Sequence, residues 1–279
     1  MVRAFVFPGQ GSQAVGMGQA LAEAEPTARE VFQEVDDALG QNLSRLMFQG
    51  PEEELVLTEN AQPALMALSV AVLRVLEKQG GVDLNDAAAF VAGHSLGEYS
   101  ALTAAGALAL SDTARLLKRR GQAMQTAVPV GVGAMAAVLG VDLDLVREVA
   151  EAAAEGQVCD VANDNANGQV VVSGNKEAVE RAVELAKDKG GRRSILLPVS
   201  APFHCALMQP AADVMAEALE KTEIGVPRVP LVANVTASAT SAPRSRSTRS
   251  APSSKAAAAS ATASASPSRA PPAASRRAT

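Results

Sequence analysis

Five residues, Gly93-His94-Ser95-Leu96-Gly97, constrain this chain more than any other stretch. They follow a small apolar run, Ala87–Ala92, and precede a helical pattern, Glu98–Ala107. A serine between two glycines where a strand turns into a helix is a nucleophile elbow. The backbone turns so sharply that side chains flanking Ser95 would clash, and glycine removes them. The turn lifts the hydroxyl out of the sheet. It also aims the Leu96 amide and the helix N-terminus at the spot where an oxyanion would develop. The string alone occurs often by chance. The strand before it and the helix after it favour a catalytic serine over a turn serine.

A serine hydroxyl needs a base. The chain has two histidines, so elimination narrows the choice. His94 adjoins Ser95, and neighbouring residues at a strand end point in divergent directions. His204 remains, on the Pro-containing loop Pro198-Val-Ser-Ala-Pro-Phe-His-Cys205. Alone it would read as a structural histidine; with an elbow serine and no other base it becomes the candidate. Pro8-Gly9-Gln10-Gly11-Ser12-Gln13 is a Gly-rich loop after a first strand, Arg3–Phe7. It lacks the ending of a P-loop and does not match G-x-G-x-x-G. In an elbow enzyme such a loop donates the second oxyanion amide, and Gln10 is the candidate. Arg115, Lys118, Arg119 and Arg120 form a basic cluster on the next helix. One arginine turned inward would bind a carboxylate through its fork, and spacing does not say which.

Apolar periodicity predicts helices at Pro26–Leu39, Glu59–Lys78, Asp112–Ala127 and around Leu207–Leu219, with a strand at Pro230–Asn234. Between them the rhythm changes. Strand Ala134–Gly140, helix Asp142–Ala154, strands Val158–Asp164 and Gln169–Ser173, helix Lys176–Asp188 and strand Ser194–Val199 follow in order. That βαββαβ sequence is the ferredoxin-like signature. It reads as a small lobe, residues 131–199, inserted between residues 1–130 and 200–239 of a larger α/β unit.

Composition separates the last stretch from the rest. Residues 240–279 hold seven of the chain's 25 Lys/Arg and none of its 30 Asp/Glu. They contain no Val, Ile, Leu, Met, Phe, Tyr or Gly. Alanine, serine, arginine, proline and threonine bury too little apolar surface to offset the entropy of ordering, so this tail is expected to be low-complexity and disordered. The remaining 239 residues are acidic, which excludes a general nucleic-acid binder. Cys159 and Cys205 fit neither a disulfide framework nor a zinc pattern and read as reduced, partly buried thiols. There is no signal peptide and no apolar run of about 18 residues, so a cytoplasmic protein off the membrane is expected.

Taken together, residues 3–236 resemble the malonyl-CoA:acyl carrier protein transacylases, relatives of polyketide-synthase acyltransferase domains. The resemblance is carried by Phe7-Pro-Gly-Gln-Gly-Ser-Gln13, Thr58-Glu-Asn-Ala-Gln-Pro-Ala-Leu65, Gly93-His-Ser-Leu-Gly-Glu-Tyr-Ser-Ala-Leu102 and Arg120-Gly-Gln-Ala-Met-Gln125. Gly133-Ala-Met-Ala-Ala137, Gln169-Val-Val-Val-Ser-Gly174, Ser200-Ala-Pro-Phe-His204 and Ala233-Asn-Val-Thr236 follow in family order. It implies an α/β-hydrolase-like large subdomain with the ferredoxin-like small one. It implies ping-pong transfer of a malonyl group from malonyl-CoA to the thiol of an acyl carrier protein, for fatty-acid or polyketide synthesis. Ser95 would be the nucleophile, His204 the base, and Gln10 and Leu96 the oxyanion amides. Arg120 takes the position that pairs with the malonyl carboxylate, and Phe203 matches the malonyl-selective form of its loop. No metal or redox cofactor is implied, and the expected unit is a monomer. Lys118, Arg119, Arg192 and Arg193 are candidates for docking the acidic carrier protein.

The family pattern stops near Ala239, where relatives continue for a further segment that completes the large subdomain and orients the histidine. The tail has the composition of an out-of-frame translation of GC-rich DNA, with a real basic tail as the rival. Two other functions stay open: a serine esterase or thioesterase, and a truncated, non-catalytic chain that only binds coenzyme A or carrier protein.

Overall fold

The computed structural model describes residues 3–240, so the expected tail lies outside the described residues apart from Thr240. In chain order the first half runs β1 (Ala4–Phe7), α1 (Gln19–Ala24), α2 (Pro26–Leu39), α3 (Leu43–Gln49), α4 (Glu52–Leu55), α5 (Thr58–Lys78), α6 (Leu84–Ala87), β2 (Phe90–Gly93), α7 (Gly97–Ala104) and α8 (Leu110–Ala127). There follow β3 (Gly133–Leu139), α9 (Leu143–Ala154), β4 (Cys159–Ala166), β5 (Gln169–Asn175), α10 (Lys176–Asp188) and β6 (Arg193–Leu196). The described residues end with a 3₁₀ turn at Ala206–Met208, α11 (Gln209–Glu220), β7 (Leu231–Ala233) and β8 (Ser238–Ala239).

These elements make an α/β fold with two sheets. The first has the order β1-β2-β7-β8, with β1, β2 and β7 parallel and β8 antiparallel. Strands β2 and β7 are neighbours although 137 residues separate Gly93 from Pro230. Phe7, Val91 and Leu231 point from successive strands into one core with α2, α5, α7 and α8. That core includes the fully buried Tyr99, Leu102 and Leu117. The opposite face carries Val6, at 71% exposure, and Phe90. Parallel sheets are ordinarily covered on both faces; among the described residues this one is covered on one.

The second sheet is antiparallel with the order β4-β5-β3-β6 and is built wholly from residues 133–196. Its two faces do different work. Val138, Val170 and Val172 pack under α9 and α10. Met135 and Val171 face the other way, toward Met124, Phe203 and Met208. This sheet therefore props up the end of α8 and the loop that carries His204.

The two helices with the clearest amphipathic stripes, α2 and α10, fall where the periodicity places them. Other boundaries moved for local reasons. The helix after the elbow ends at Ala104, because Gly106 enters the left-handed region at φ 75°. Strand β6 stops at Leu196, ahead of Pro198 and Pro202, so its expected last three residues belong to the histidine loop. Helices α1, α3, α4 and α6 have four to seven residues each, too short for periodicity to announce them.

Candidate active site

Strand β2 ends at Gly93 and α7 begins at Gly97, so three residues turn the chain. Ser95 sits at φ 52°, a left-handed conformation that is unfavourable for a residue with a side chain. The turn is held by His94 N–H donating to Phe7 C=O (3.0 Å), Gly97 N–H to His94 C=O (2.9 Å) and Glu98 N–H to Ser95 C=O (3.0 Å). Both glycines are forced. A methyl on Gly93 would run into the Gly97 carbonyl group, and one on Gly97 into the Phe7 and Pro8 carbonyls. Gly97→Ala is therefore expected to cost about 1–3 kcal/mol by overpacking against rigid backbone. A urea titration read beside the Ser95 acylation rate checks this, and an unshifted midpoint with an unchanged rate contradicts it.

Of the basic candidates on α8, Arg120 is the one that turns toward the serine. It is buried at 4% exposure, alone among the four basic candidates on α8. Its Nη2 donates to Ser95 Oγ at 3.2 Å and its Nη1 to Gln62 Oε1 at 2.7 Å. The guanidinium lies over the Tyr99 ring, 5.9 Å from its centre. Burial draws the guanidinium's pKa down, while Tyr99 and Glu98 push it back up. Burial likewise pushes the Tyr99 hydroxyl up to about 12, so the ring stays neutral. Gln62 is held in turn: its Nε2 donates to Thr58 Oγ1 (2.8 Å), and the Thr58 hydroxyl donates to Gln10 Oε1 (2.9 Å). A chain of polar contacts thus links the Gly-rich loop to the serine. Sequence reasoning saw both ends of it but not Gln62, whose only signal was its place in Thr58–Leu65.

The other three cations are engaged elsewhere. Lys118 Nζ donates to Gln41 and Asn60 and pairs with Glu59 at 3.0 Å, and this contact holds the Glu59 carboxyl below its usual range. Arg119 pairs with Glu217 and Arg115 with Asp112. Lys118 and Arg119 are thus ion-paired within the chain, whereas Arg192 and Arg193 are exposed.

His204 is half-buried and also has a left-handed backbone, φ 61°. Its loop is anchored on both sides. Leu197 N–H donates to Met135 C=O, Ser200 Oγ to Gln125 Oε1 (2.8 Å), and Ala206 N–H to Asp160 Oδ2 (2.7 Å). Phe203 is buried beside Met124, Ala201 and Met208. Burial, then the charge of Arg120, then His94, push the His204 imidazole down to about 3. The last two causes are the charges of groups on either side of Ser95 in this structure, Arg120 and His94, acting on the imidazole through space. His94 itself points elsewhere, its Nε2 3.3 Å from Asn165 Oδ1, as the divergence argument requires. Cys159 and Cys205 are buried free thiols, each pushed up to about 11, first by burial.

The amides of Gln10 and Leu96 donate to no protein acceptor among the described residues. Two further residues went unnoticed in the sequence. Asn234, beyond β7, accepts from Ser95 N–H (3.1 Å) and donates from Nδ2 to Gly93 C=O (2.7 Å). Glu98, fully buried, accepts from Asn234 N–H at 3.3 Å. Among the described residues no group of His, Cys, Asp and Glu could hold a metal ion, and no helix is long and apolar enough to cross a membrane.

Comparison with known proteins gives this arrangement a family. A family model described as the acyl transferase domain matches residues 4–276. The chain belongs to the acyl transferase family. Within it, the chain is 53% identical over 232 residues to the malonyl CoA-acyl carrier protein transacylase of Escherichia coli, covering 83% of this chain and 74% of that protein. An acyl-carrier-protein-S-malonyltransferase from Bartonella henselae superposes with a TM-score of 0.84 at 58% identity, over 86% of this chain and 76% of the other. A malonyl-transacylase solved in complex with its type II PKS acyl-carrier protein gives 0.86 at 45% identity, over 94% and 81%. The acyl transferase chain thus spans about three quarters of these relatives. The alignment to the Escherichia coli protein covers 232 residues, while the family model runs on to residue 276.

Proposed function

We propose that this acyltransferase moves a malonyl group from malonyl-CoA to the phosphopantetheine thiol of an acyl carrier protein, through an ester on Ser95. The observation that carries the reading is the buried Arg120 guanidinium, 3.2 Å from Ser95 Oγ. A desolvated cation beside a nucleophile selects an acyl group that ends in a carboxylate. An esterase has no use for it.

In the proposed reaction the Ser95 oxygen attacks the thioester carbonyl and His204 takes its proton. The amides of Gln10 and Leu96 receive the oxyanion. The carbon–sulfur bond breaks, and His204 returns the proton to the departing coenzyme A thiolate. The carrier thiol then gives its proton to His204 and attacks the ester, and Ser95 leaves with that proton. The malonyl carboxylate neutralises Arg120, which removes one of the charges that depress His204. Phe203 narrows the site against an α-methyl group, a preference worth roughly 1–3 kcal/mol. In this reading residues 131–199 form a ferredoxin-like lobe inserted into an α/β-hydrolase-like unit, and one chain acts without a metal or redox cofactor, in the cytoplasm.

Rapid mixing with malonyl-CoA should give a burst of coenzyme A, and acetyl-CoA should give far less. Equal bursts would favour the esterase or thioesterase reading, and no burst the non-catalytic one. The pH dependence has a definite sign. His204 titrates near 6.5 when unfolded and near 3 when folded, so between these values the unfolded chain binds more protons. Its contribution to stability is complete above about 6.5 and is lost as the pH falls toward 3. Acylation of the free protein should accordingly show no loss of base near pH 6.5. A limb at that pH, removed in His204→Ala, contradicts the assignment.

A further inference from the structure

We infer that Asn234 is a positioning residue for the nucleophile: its side-chain amide substitutes for a missing backbone group and holds the strained elbow at Ser95. The inference rests on the reading of Ser95 as the nucleophile.

Strands β2 and β7 pair in parallel through Val91↔Leu231 and Ala92↔Val232. Continuing that register sets Gly93 beside Ala233 and His94 beside Asn234. In a parallel ladder a residue beside His94 bonds through its backbone to the carbonyl of Gly93 and the amide of Ser95. Here the ladder has already ended, because residues 233–237 enter a turn in which Ala237 N–H donates to Ala233 C=O (2.9 Å). The backbone of Asn234 is diverted, its N–H going to Glu98 Oε2. The side chain makes the two bonds instead, to Gly93 C=O at 2.7 Å and from Ser95 N–H at 3.1 Å.

A carboxamide is suited to this because it carries a donor and an acceptor with the geometry of a peptide group. The two bonds fix both peptide planes flanking His94, and the second plane leads directly into the left-handed φ of Ser95. On its other side His94 N–H is held by Phe7 C=O. The turn is thus clamped between β1 and a side chain from a segment 139 residues away. Without the clamp, Ser95 can relax toward ordinary backbone and carry its hydroxyl away from Arg120 and His204.

The test compares wild type, Asn234→Ala and Asn234→Asp. Each is first shown to be folded by circular dichroism, and Ser95 acylation by malonyl-CoA is then measured in single-turnover experiments. Asn234→Ala should slow acylation by about 10²-fold while the KM for malonyl-CoA stays within about threefold, the mark of lost alignment rather than lost binding. Asn234→Asp separates positioning from bulk. As a carboxylate it keeps an acceptor but opposes the Gly93 carbonyl; as a protonated acid it regains both a donor and an acceptor. Its neighbours are Glu98 on α7, His94 and Ser95 in the elbow, and Arg120 and His204 beyond the serine. Relative to wild type, its acylation rate should recover as the pH is lowered from 8 toward 5.5. A fluorophosphonate, which labels an activated serine without reading a malonyl group, runs in parallel. If it labels wild type and malonyl-CoA does not, the malonyl reading fails while the Asn234 ranking is still read from the labelling rate. Wild-type rates in Asn234→Ala with either reagent overturn the inference, as does an Asn234→Asp profile parallel to wild type.

Discussion

Replacing Ser95 with alanine is expected to abolish the burst of coenzyme A from malonyl-CoA and to lower transfer to the carrier thiol by about 10⁴-fold or more, the scale of losing a covalent nucleophile. The change leaves the rest of the elbow intact. Ser95 is only half-buried, and its backbone N–H still reaches Asn234 Oδ1. One contact is lost, the Arg120 Nη2 bond to Oγ, while Nη1 keeps Gln62. Alanine at φ 52° carries the same backbone penalty as serine, so stability should change little. A folded variant that releases no coenzyme A therefore isolates the chemistry. A variant with appreciable burst would place the acyl group on another residue.

The second large effect is expected at Arg120. Arg120→Ala should reduce kcat/KM for malonyl-CoA by about 10²–10³-fold, the range seen when one partner of a buried charge contact is truncated. Acetyl-CoA, which has no carboxylate, should be turned over no more slowly than before, so the preference between the two collapses. Lysine should not restore it. The guanidinium uses two nitrogens at once, one on Gln62 and one toward the substrate side at Ser95, and a single ammonium cannot span both. Removing the side chain also strips Gln62 Oε1 of its donor. Gln62→Leu serves as the control, since it disturbs the holder and leaves the cation. A malonyl preference that survives Arg120→Ala would assign carboxylate recognition to another group.

The parts of this site that local spacing encodes were legible in the sequence. Two glycines around a serine dictate the elbow, and the observed closeness of Gly93 to Gly97 is the steric reason. With only two histidines in the chain, and His94 bonded toward Asn165, His204 stays the candidate base. Periodicity recovers α2 and α10 because each packs a single apolar stripe. What spacing could not resolve was which cation of four turns inward. Arg115, Lys118, Arg119 and Arg120 span less than two helical turns, and rotation about the axis of α8 decides the matter. Resemblance singled out Arg120; it is the one of the four that is buried, with Nη2 on Ser95 Oγ, and its pairing with a substrate carboxylate is the proposal. Asn234 and Gln62 were illegible for a different reason. Each is an uncharged amide whose contacts exist only once distant segments have met, β2 with β7 for Asn234 and α5 with α8 for Gln62. The surroundings of the docking candidate Lys118 were hidden on similar grounds: a sequence displays its charge but not Glu59, Gln41 and Asn60 closing around it.

The central claim is that Ser95 carries a malonyl ester between two thiols, and intact-mass analysis with peptide mapping tests it most directly. After incubation with malonyl-CoA and no acceptor, the protein should gain the mass of one malonyl group, located on the peptide that contains Ser95. Adding carrier protein with its phosphopantetheine thiol should discharge it. A chain that stays unmodified, or is modified on a residue other than Ser95, would contradict the account.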